Sequence, residues 1–152
     1  MRPTGPGGER RGRVVGIDLG GRRIGVAVSD PAGRLATPRR VLRRGRRRAG
    51  DHRAIAGIVG EVGAVRVVVG LPLTLGGEAG PAARQVMAEV DDLRRHLEVP
   101  VEVHDERLTT VAAERSLREI GARPEARRAG IDQVAAAVML QSWLDRRTRE
   151  GG

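Results

Sequence analysis

The fold is decided by residues 14–30, which read VVGIDLGGRRIGVAVSD. The first four residues form a short apolar run that ends at Asp18, and apolar residues then alternate with small ones from Ile24 to Val28. Such an alternation is typical of a strand with one buried face. Because the Gly-Gly-Arg-Arg connection between the two runs is short, we predict an antiparallel β-hairpin whose first strand ends in an aspartate.

The segments after this hairpin predict a third strand and then alternating helices and strands. Pro38 is expected to break the third strand, since proline cannot donate a ladder hydrogen bond. Asp51 precedes apolar residues at helical spacing, so we expect it to cap a helix. The predicted elements are a strand over 35–42, a helix over 51–62, a strand over 65–69, a helix over 81–97, a strand over 100–106, a helix after Thr109 or Thr110, a loop over 121–130 and a buried helix over 131–144.

The order βββαβαβα predicts an α/β fold. Consecutive antiparallel strands need only short turns, whereas parallel strands need crossover helices. We therefore expect a mixed five-stranded sheet, with strands 1–3 antiparallel and strands 4 and 5 parallel, flanked by helices. The length of 152 residues favours one domain. We predict a disordered basic tail over 1–12 and a single domain over 13–148.

Positive charge is concentrated in two parts of the chain. The chain has 28 basic residues, all of them arginine, against 19 acidic ones, which gives a formal net charge of +9. Seven arginines lie within residues 39–48, four lie within residues 1–13, and the rest of the chain is close to neutral. Arginine binds phosphate oxygens through a planar fork, so the segment 39–48 indicates a phosphate clamp on nucleic acid. The alternative is a solvated loop without a ligand.

The composition excludes several classes of protein and site. The chain has no cysteine, which excludes disulfides, thiolate metal sites and a cysteine nucleophile. Its one aromatic residue is Trp143, so it cannot stack a series of bases. No apolar run approaches the length of a membrane span, and the first residues lack the apolar centre of a signal peptide. We expect a cytoplasmic protein.

Acidic residues follow two of the predicted strands and open the last helix. Asp18 ends the first strand, Asp105 and Glu106 end the fifth, and Asp132 lies near the start of the last helix. Ligands of α/β sheets bind at the carboxyl ends of strands, and clustered carboxylates there suit a hard divalent cation. Adjacent residues of a strand face opposite sides, so only one of Asp105 and Glu106 needs to be a ligand. A turn or helix-terminal role is the alternative for each acid.

Four blocks of the sequence resemble one known family. The blocks are GIDLG at 16–20 with RIGVAVSD at 23–30, VGLPL at 69–73, DERLTT at 105–110, and DQVAA at 132–136 with LQSWLD at 140–145. In this order they are similar to the YqgF/RuvX family of bacterial proteins, which are assigned as pre-16S rRNA nucleases and are similar to RuvC-type Holliday junction resolvases. The resemblance covers about residues 13–147.

The resemblance implies a ribonuclease H-like fold and a metal-dependent nuclease. It implies that Asp18, Glu106 and Asp132 are the catalytic residues and the ligands of Mg²⁺ or Mn²⁺, with Asp105 as the alternative to Glu106. The sequence departs from the RuvC pattern at Gly70, where the fourth strand offers no acid, and in having one aspartate at the last helix. The arginines expected to bind nucleic acid are Arg23, Arg43, Arg44, Arg46, Arg47, Arg48, Arg107 and Arg128.

The function expected from these features is cleavage of phosphodiester bonds. The first hypothesis is a metal-dependent endonuclease that processes the 5′ end of pre-16S rRNA in ribosome biogenesis. The second is a Holliday junction resolvase acting on branched DNA, which needs a dimer with two sites. The third is a non-catalytic nucleic-acid-binding factor on a degenerate nuclease fold. The sequence leaves RNA or branched DNA as the partner, and monomer or homodimer as the assembly, open.

Overall fold

The structure, a computed structural model, describes residues 12–107 and 124–151, and in the second range it describes the side chains of residues 134–150. The described elements are β1 (Val14–Leu19), β2 (Arg23–Ser29), β3 (Ala36–Arg43), α1 (Arg48–Val62), β4 (Arg66–Leu71), α2 (Pro81–Arg94), β5 (Val101–Asp105) and α3 (Pro124–Gly151). Their order is the predicted βββαβαβα. Residues 1–11 of the predicted tail and the helix expected after Thr109 or Thr110 lie outside the described residues.

The five strands form one mixed sheet in the order β3-β2-β1-β4-β5. β1 pairs antiparallel with β2, and β2 pairs antiparallel with β3. β1 pairs parallel with β4, and β4 pairs parallel with β5. The predicted fold class is therefore confirmed, and the carboxyl ends of β1, β4 and β5 lie at one edge of the sheet.

Each face of the sheet is covered by a separate hydrophobic cluster. On one face, Val15 and Ile17 of β1 pack with residues of α1 and α2, and we call this the α1/α2 face. On the other, Val14 packs with residues of α3, and we call this the α3 face. Gly16 lets α3 approach β1 closely, because a Cβ on Gly16 would lie 2.7 Å from Leu140 Cβ. The position of α3 over the sheet therefore depends on that glycine.

β3 differs from its prediction, since Pro38 does not break it. The strand runs without interruption from Ala36 to Arg43, and Pro38 lies opposite Ala27 at a register shift in the pairing with β2. β3 is at the edge of the sheet. A proline at a bulge of an edge strand removes no necessary ladder hydrogen bond, so the strand continues through it.

α1 also differs from its prediction, because Asp51 does not cap it. The helix begins at Arg48, which places Asp51 in the first turn. The Asp51 carboxylate instead accepts a hydrogen bond of 2.8 Å from the backbone N–H of Gly45 and is 92% removed from solvent. The helix ends at Val62 and is followed by Gly63, whose φ of 67° suits the left-handed conformation that glycine adopts most readily.

α3 is longer than predicted at both ends. It has 28 residues and begins at Pro124, so residues 124–130, expected in a loop, are helical. Proline is favoured in the first turn of a helix, where its missing N–H has no partner to lose. Its buried residues include Met139, Leu140 and Leu144, as expected for a helix that covers the sheet. None of the described helices, α3 included, has the length and hydropathy needed to cross a membrane.

Candidate active site

Asp18 lies on the α3 face at the carboxyl end of β1. Its neighbours Ile17 and Leu19 both pack into the α1/α2 cluster, so alternation along the strand directs Asp18 to the opposite face. It is half-buried and lies opposite Gly25 of β2. The position of Asp18 is therefore fixed by its two chain neighbours, Ile17 and Leu19, which both pack against the core.

Glu106 reaches over β4 from the end of β5. Its backbone N–H donates a hydrogen bond of 3.2 Å to the carbonyl oxygen of Leu71. A Cβ on Gly70 would overlap the Glu106 carboxylate and would lie 3.2 Å from its Cδ and 3.4 Å from Met139 Cγ. This close approach explains why residue 70 is a glycine. The carboxylate of Glu106 fills the space over β4 that a side chain at residue 70 would take.

Burial, the largest cause, and the negative charges of Asp18 and Asp105 together raise the pKa of Glu106 to about 7. Asp18 and Glu106, which are far apart in the sequence, therefore belong to one electrostatic site. A carboxylate in such surroundings is costly to ionise unless a cation is nearby. The geometry therefore creates a place where positive charge is favoured.

Asp105 and Glu106 have different surroundings although they are adjacent. The Asp105 carboxylate accepts hydrogen bonds from the Arg107 side chain at 2.7 Å and from the Arg107 backbone N–H at 3.0 Å. The Arg107 side chain thereby lowers the pKa of Asp105. Arg107 also donates to the carbonyl oxygen of Leu75. Of the two acids left open by the sequence, Glu106 is the more buried one and Asp105 is in an ion pair.

Asp132 and Arg128 lie on α3, one and two helical turns before Ala136. Their side chains are outside the described residues. The backbone of Ala136 faces β1, because a Cβ on Gly16 would lie 3.3 Å from the Ala136 carbonyl oxygen. Within the described part of the chain, no group of three acidic, histidine or cysteine residues is placed to hold a metal ion. Asp18 and Glu106 are the two predicted ligands that the described residues bring together.

The seven arginines of the segment 39–48 divide into two kinds. Arg39 pairs with Glu61 of α1 at 3.2 Å, and Arg48 pairs with Asp92 of α2 at 3.0 Å. Arg44 is held in a network described below. The other four, Arg40, Arg43, Arg46 and Arg47, are exposed and have no carboxylate within ion-pair distance among the described residues. The segment is therefore neither a uniform phosphate clamp nor a plain solvated loop.

Arg44, predicted to bind nucleic acid, is a structural residue on the α1/α2 face. Its guanidinium donates to both carboxylate oxygens of Glu89, at 2.6 and 2.8 Å, and lies 3.5 Å from Asp51. The His52 ring hydrogen-bonds Glu89 at 2.8 Å as well. Charged residues in this position need partners because they are largely removed from water. Arg44 is bound to these acids within the fold, and its binding of nucleic acid stays a prediction.

Arg44 also fixes the turn that follows Asp18. Its Nε donates a hydrogen bond of 3.0 Å to the carbonyl oxygen of Gly20, and its backbone N–H donates to Arg22. The backbone N–H of Gly20 in turn donates to the carbonyl oxygen of Asp18.

The sequence did not identify Glu89 and His52 as members of this network, and it did not explain why residue 70 is a glycine. The signal for Glu89 was a charged residue at a position of the apolar stripe of α2, between Val86 and Val90.

Comparisons with known proteins agree with this fold and cover almost the whole described chain. A family model named RuvX, described as Holliday junction resolvase, matches residues 12–146. A protein of Mycobacterium sp. (strain KMS) named "Putative pre-16S rRNA nuclease" is 53% identical over 144 residues, which cover 94% of this chain and 85% of that protein. A relative of the same name from Mycolicibacterium paratuberculosis is 54% identical over 147 residues, covering 93% and 87%. Another from Rhodococcus jostii is 52% identical over 143 residues, covering 91% and 80%.

A solved structure has the same fold at much lower sequence identity. The RuvC of Thermus thermophilus in complex with a Holliday junction substrate is 19% identical, with a TM-score of 0.56, and the match covers 92% of this chain and 96% of that one. At that identity the likeness bears on the fold alone. The family match and the relatives above half identity carry the assignment of family. The chain therefore belongs to the RuvX family, as its sequence blocks predicted.

Proposed function

We propose that this protein is a nuclease that depends on a divalent cation, with one nuclease domain over residues 13–148. The observation that carries the proposal is the burial of Glu106 beside Asp18, which raises the pKa of Glu106 to about 7. Carboxylates that repel each other in this way favour a bound cation between them. A set of carboxylate oxygen ligands fits Mg²⁺ or Mn²⁺. It does not fit copper or the metals that prefer thiolate ligands.

The ligands in this proposal are Asp18, Glu106 and Asp132. Asp132 is supported by the backbone, since it lies one turn before Ala136 on the helix that contacts β1 at Gly16. Asp18 is two residues beyond Gly16 on the same face of β1. A carboxyl of Glu106 must ionise before it can bind a cation, so cation binding releases a proton below about pH 7.

The chain's own residues hold and orient the reacting groups. When bound, a divalent cation supplies an activated water and neutralises charge on the phosphate. Asp18 and Glu106 would hold that cation at the carboxyl edge of the sheet, and arginines bind the non-bridging phosphate oxygens. We infer this binding role for Arg23, Arg43, Arg46, Arg47, Arg107 and Arg128. The scarcity of aromatic residues leaves phosphate contacts as the main source of affinity.

The substrate we propose is the precursor of 16S rRNA, whose 5′ end the enzyme matures during ribosome biogenesis in the cytoplasm. The support is the name carried by relatives that are more than half identical to this chain. The family description favours a second substrate, a four-way DNA junction. Resolution of a junction needs two sites on a homodimer, whereas maturation of one RNA end needs one site on a monomer.

The test is cleavage of a labelled pre-rRNA fragment and of a labelled four-way junction with Mg²⁺ or Mn²⁺. We expect Asp18→Asn and Glu106→Gln to lose about 100-fold or more in rate, the size of effect seen when transition-state charge stabilisation is removed. Matched controls are Asp91→Asn and Glu61→Gln, which remove equal charges from surface ion pairs with Arg94 and Arg39. Both controls are expected to keep the wild-type rate.

The two substrates separate the alternatives. Cleavage of the pre-rRNA at its 5′ junction supports the first proposal, and paired nicks in the four-way DNA support the second. Undiminished cleavage by both site variants would contradict the assigned site. Binding without any cation-dependent cleavage would identify a nucleic-acid-binding factor in place of a nuclease.

A further inference from the structure

Asp18 lies where the pairing of β1 with its neighbours comes to an end. The parallel register of β1 with β4 ends at Ile17 with Val69, one residue before Asp18. On the other side of β1, Asp18 pairs with Gly25 of β2, and the turn to β2 begins at Gly20. The ends of a strand open more readily than its centre. The backbone of Asp18 therefore depends also on what holds this turn.

Arg44 holds the turn at two of its backbone carbonyl groups. Its side-chain Nε donates a hydrogen bond of 3.0 Å to the carbonyl oxygen of Gly20, and its backbone N–H donates one of 2.9 Å to that of Arg22. The N–H of Gly20 donates a hydrogen bond of 3.2 Å to the carbonyl oxygen of Asp18. The turn is tight, since a Cβ on Gly20 would lie 2.6 Å from the carbonyl oxygen of Arg23. Arg44 is thus connected to Asp18 through one residue of backbone.

The guanidinium of Arg44 is in turn held by α1 and α2. Its two terminal nitrogens donate to the two carboxylate oxygens of Glu89 at 2.6 and 2.8 Å, and Asp51 lies 3.5 Å away. His52, which is fully buried, hydrogen-bonds the same Glu89 carboxylate at 2.8 Å. Because a guanidinium is planar and rigid, its fork on Glu89 also fixes the direction in which Nε donates.

Stability alone is a weak explanation for this arrangement. Glu89 lies in the apolar stripe of α2, between Val86 and Val90, where removal from water opposes its ionised form. A well-packed apolar pair in place of a buried ion pair is often equally stable. An apolar pair cannot donate a hydrogen bond to Gly20. The fixed hydrogen bond to the turn is therefore what the charged network adds.

We propose that Arg44, held by Glu89, is a positioning residue that sets the backbone of Asp18 for cation binding. This inference rests on the proposed nuclease function, because it takes Asp18 to be a ligand of the cation. Arg44 acts through the turn and does not itself touch the cation. Replacing residues that orient the ligands of a metal typically costs about 10–100-fold in metal affinity or activity.

The first variant of the test is Arg44→Lys, which keeps the positive charge beside Glu89. The single nitrogen of a lysine cannot span both the carboxylate of Glu89 and the carbonyl oxygen of Gly20 as a guanidinium does. The turn should therefore lose its anchor while the charge of the network is retained.

The matched control is Arg94→Lys, which alters a similar arginine far from the candidate active site. Arg94 pairs with Asp91 at 3.0 Å, and its Nε and one terminal nitrogen donate to the carbonyl oxygen of Val101 at 3.3 and 2.9 Å. Val101 begins β5, so this contact lies at the edge of the sheet opposite to Asp18. The control loses the same kind of contact without affecting the turn.

Two measurements of this pair require no cleavage. Mn²⁺ binding in the absence of nucleic acid, followed by the electron paramagnetic resonance of the free ion, should weaken about 10–100-fold in Arg44→Lys. Amide hydrogen exchange over residues 19–24 should become faster in the same variant. We expect Arg94→Lys to keep the wild-type value of both.

The double variant Arg44→Leu/Glu89→Leu separates positioning from stability and from phosphate binding. An apolar pair should keep most of the stability, but it cannot hold Gly20, so we expect the same loss of Mn²⁺ affinity and a kcat about 10–100-fold lower, with KM within about twofold. Binding of single-stranded RNA is measured against salt in an Asp18→Asn background, which prevents cleavage. Loss of a phosphate contact would flatten the slope of log K against log salt by about 0.7, whereas loss of a positioning residue leaves it unchanged.

Two results overturn the inference. One is wild-type Mn²⁺ affinity together with wild-type exchange in Arg44→Lys, and the other is a flattened salt slope in the double variant, which would make Arg44 a phosphate ligand. If Asp18→Asn abolishes cation binding and cleavage but Arg44→Lys changes neither, the positioning role is wrong and the nuclease stands. If Arg44→Lys weakens Mn²⁺ binding but the wild type cleaves neither substrate, Arg44 still positions a cation ligand and the nuclease proposal fails.

Discussion

Glu89 and Glu106 lie on opposite faces of the same sheet, and their pKa values are shifted in opposite directions. Burial alone raises the pKa of Glu89, but hydrogen bonds from Arg44 and His52 together lower it below its usual range. Burial also raises the pKa of Glu106, and there the nearby charges of Asp18 and Asp105 add to the increase. Glu89 is thus neutralised within the fold, whereas the charges of Asp18 and Asp105 oppose the ionisation of Glu106.

The difference separates an acid that is paired within the fold from an acid whose ionisation is opposed by its neighbours. Ion pairs that are largely removed from water add stability only when every charge in them has a partner. The network around Glu89 meets this condition with residues of α1, α2 and the segment before α1. Repulsion among Asp18, Asp105 and Glu106 costs stability in the absence of a cation, and such costs are typical of functional sites.

The largest expected effect on stability comes from removing the positive charge of Arg44 on the α1/α2 face. Arg44→Leu leaves Glu89 and Asp51 with excess negative charge, so we expect the free energy of unfolding to fall by about 3–5 kcal/mol. The measurement is urea denaturation at pH 7. The double variant Arg44→Leu/Glu89→Leu should recover most of this loss, because an apolar pair can replace a buried ion pair at little cost.

A matched control for Arg44 is Arg48→Leu. Arg48 pairs with Asp92 in an exposed position, so its loss should lower the free energy of unfolding by less than about 1 kcal/mol. Equal losses for the two variants, or no recovery in the double variant, would show that the network around Glu89 is an ordinary surface ion pair.

Glu106→Gln and Glu89→Gln should change stability with opposite dependence on pH. The folded-state pKa of Glu106 is about 7 against an ordinary 4.5, so its contribution is fully present below pH 4.5 and is lost as pH rises to about 7. Each pKa unit corresponds to about 1.4 kcal/mol. We therefore expect Glu106→Gln, with a chelator present, to be more stable than the wild type by up to about 3 kcal/mol at pH 8, a gain that disappears near pH 4.

Glu89 supplies the reverse case. Its pKa is lowered on folding, so its contribution is present above the ordinary value of 4.5 and is lost as pH falls below it. Glu89→Gln should therefore be less stable than the wild type at pH 8, and the deficit should shrink in acid. Urea denaturation at several pH values measures both variants. If both variants differ from the wild type in stability with the same dependence on pH, the distinction between the two faces is wrong.

A smaller effect is expected from Gly70→Ala. The new Cβ would overlap the Glu106 carboxylate, which can move away by rotation of its own side chain. Gly70 is buried, and we expect a loss of stability of about 1 kcal/mol, the typical size for a single substitution. Cation-dependent cleavage should fall about tenfold or more, because the ligand is displaced.

The control for Gly70 is Gly57→Ala in α1. A Cβ on Gly57 meets no atom within 4 Å, so this change should stabilise the helix by about 0.5–1 kcal/mol and leave cleavage unchanged. Wild-type cleavage by Gly70→Ala would show that the place of Glu106 over β4 has no part in the reaction.

Much of the fold could be predicted from the sequence because it depends on local patterns. A short apolar run predicted β1, alternating apolar residues predicted β2, and the β-branched run before Gly70 predicted β4. The sequence failed where a tertiary contact competes with a local rule. Pro38 is tolerated because β3 is an edge strand with a bulge, and Asp51 leaves the N-cap position because it binds Gly45 and lies beside Arg44.

The sequence by itself determined which residue types could form the site and the family to which the chain belongs. Acids after two strands, an arginine-rich segment and an absence of cysteine all follow from composition and order. Only the tertiary structure decided which of those charges are neutralised. Arg44 and Glu89 are far apart in the chain but bind each other on one face, whereas Asp18 and Glu106 repel on the other. Burial and pairing arise from packing between distant segments, and no local pattern encodes them.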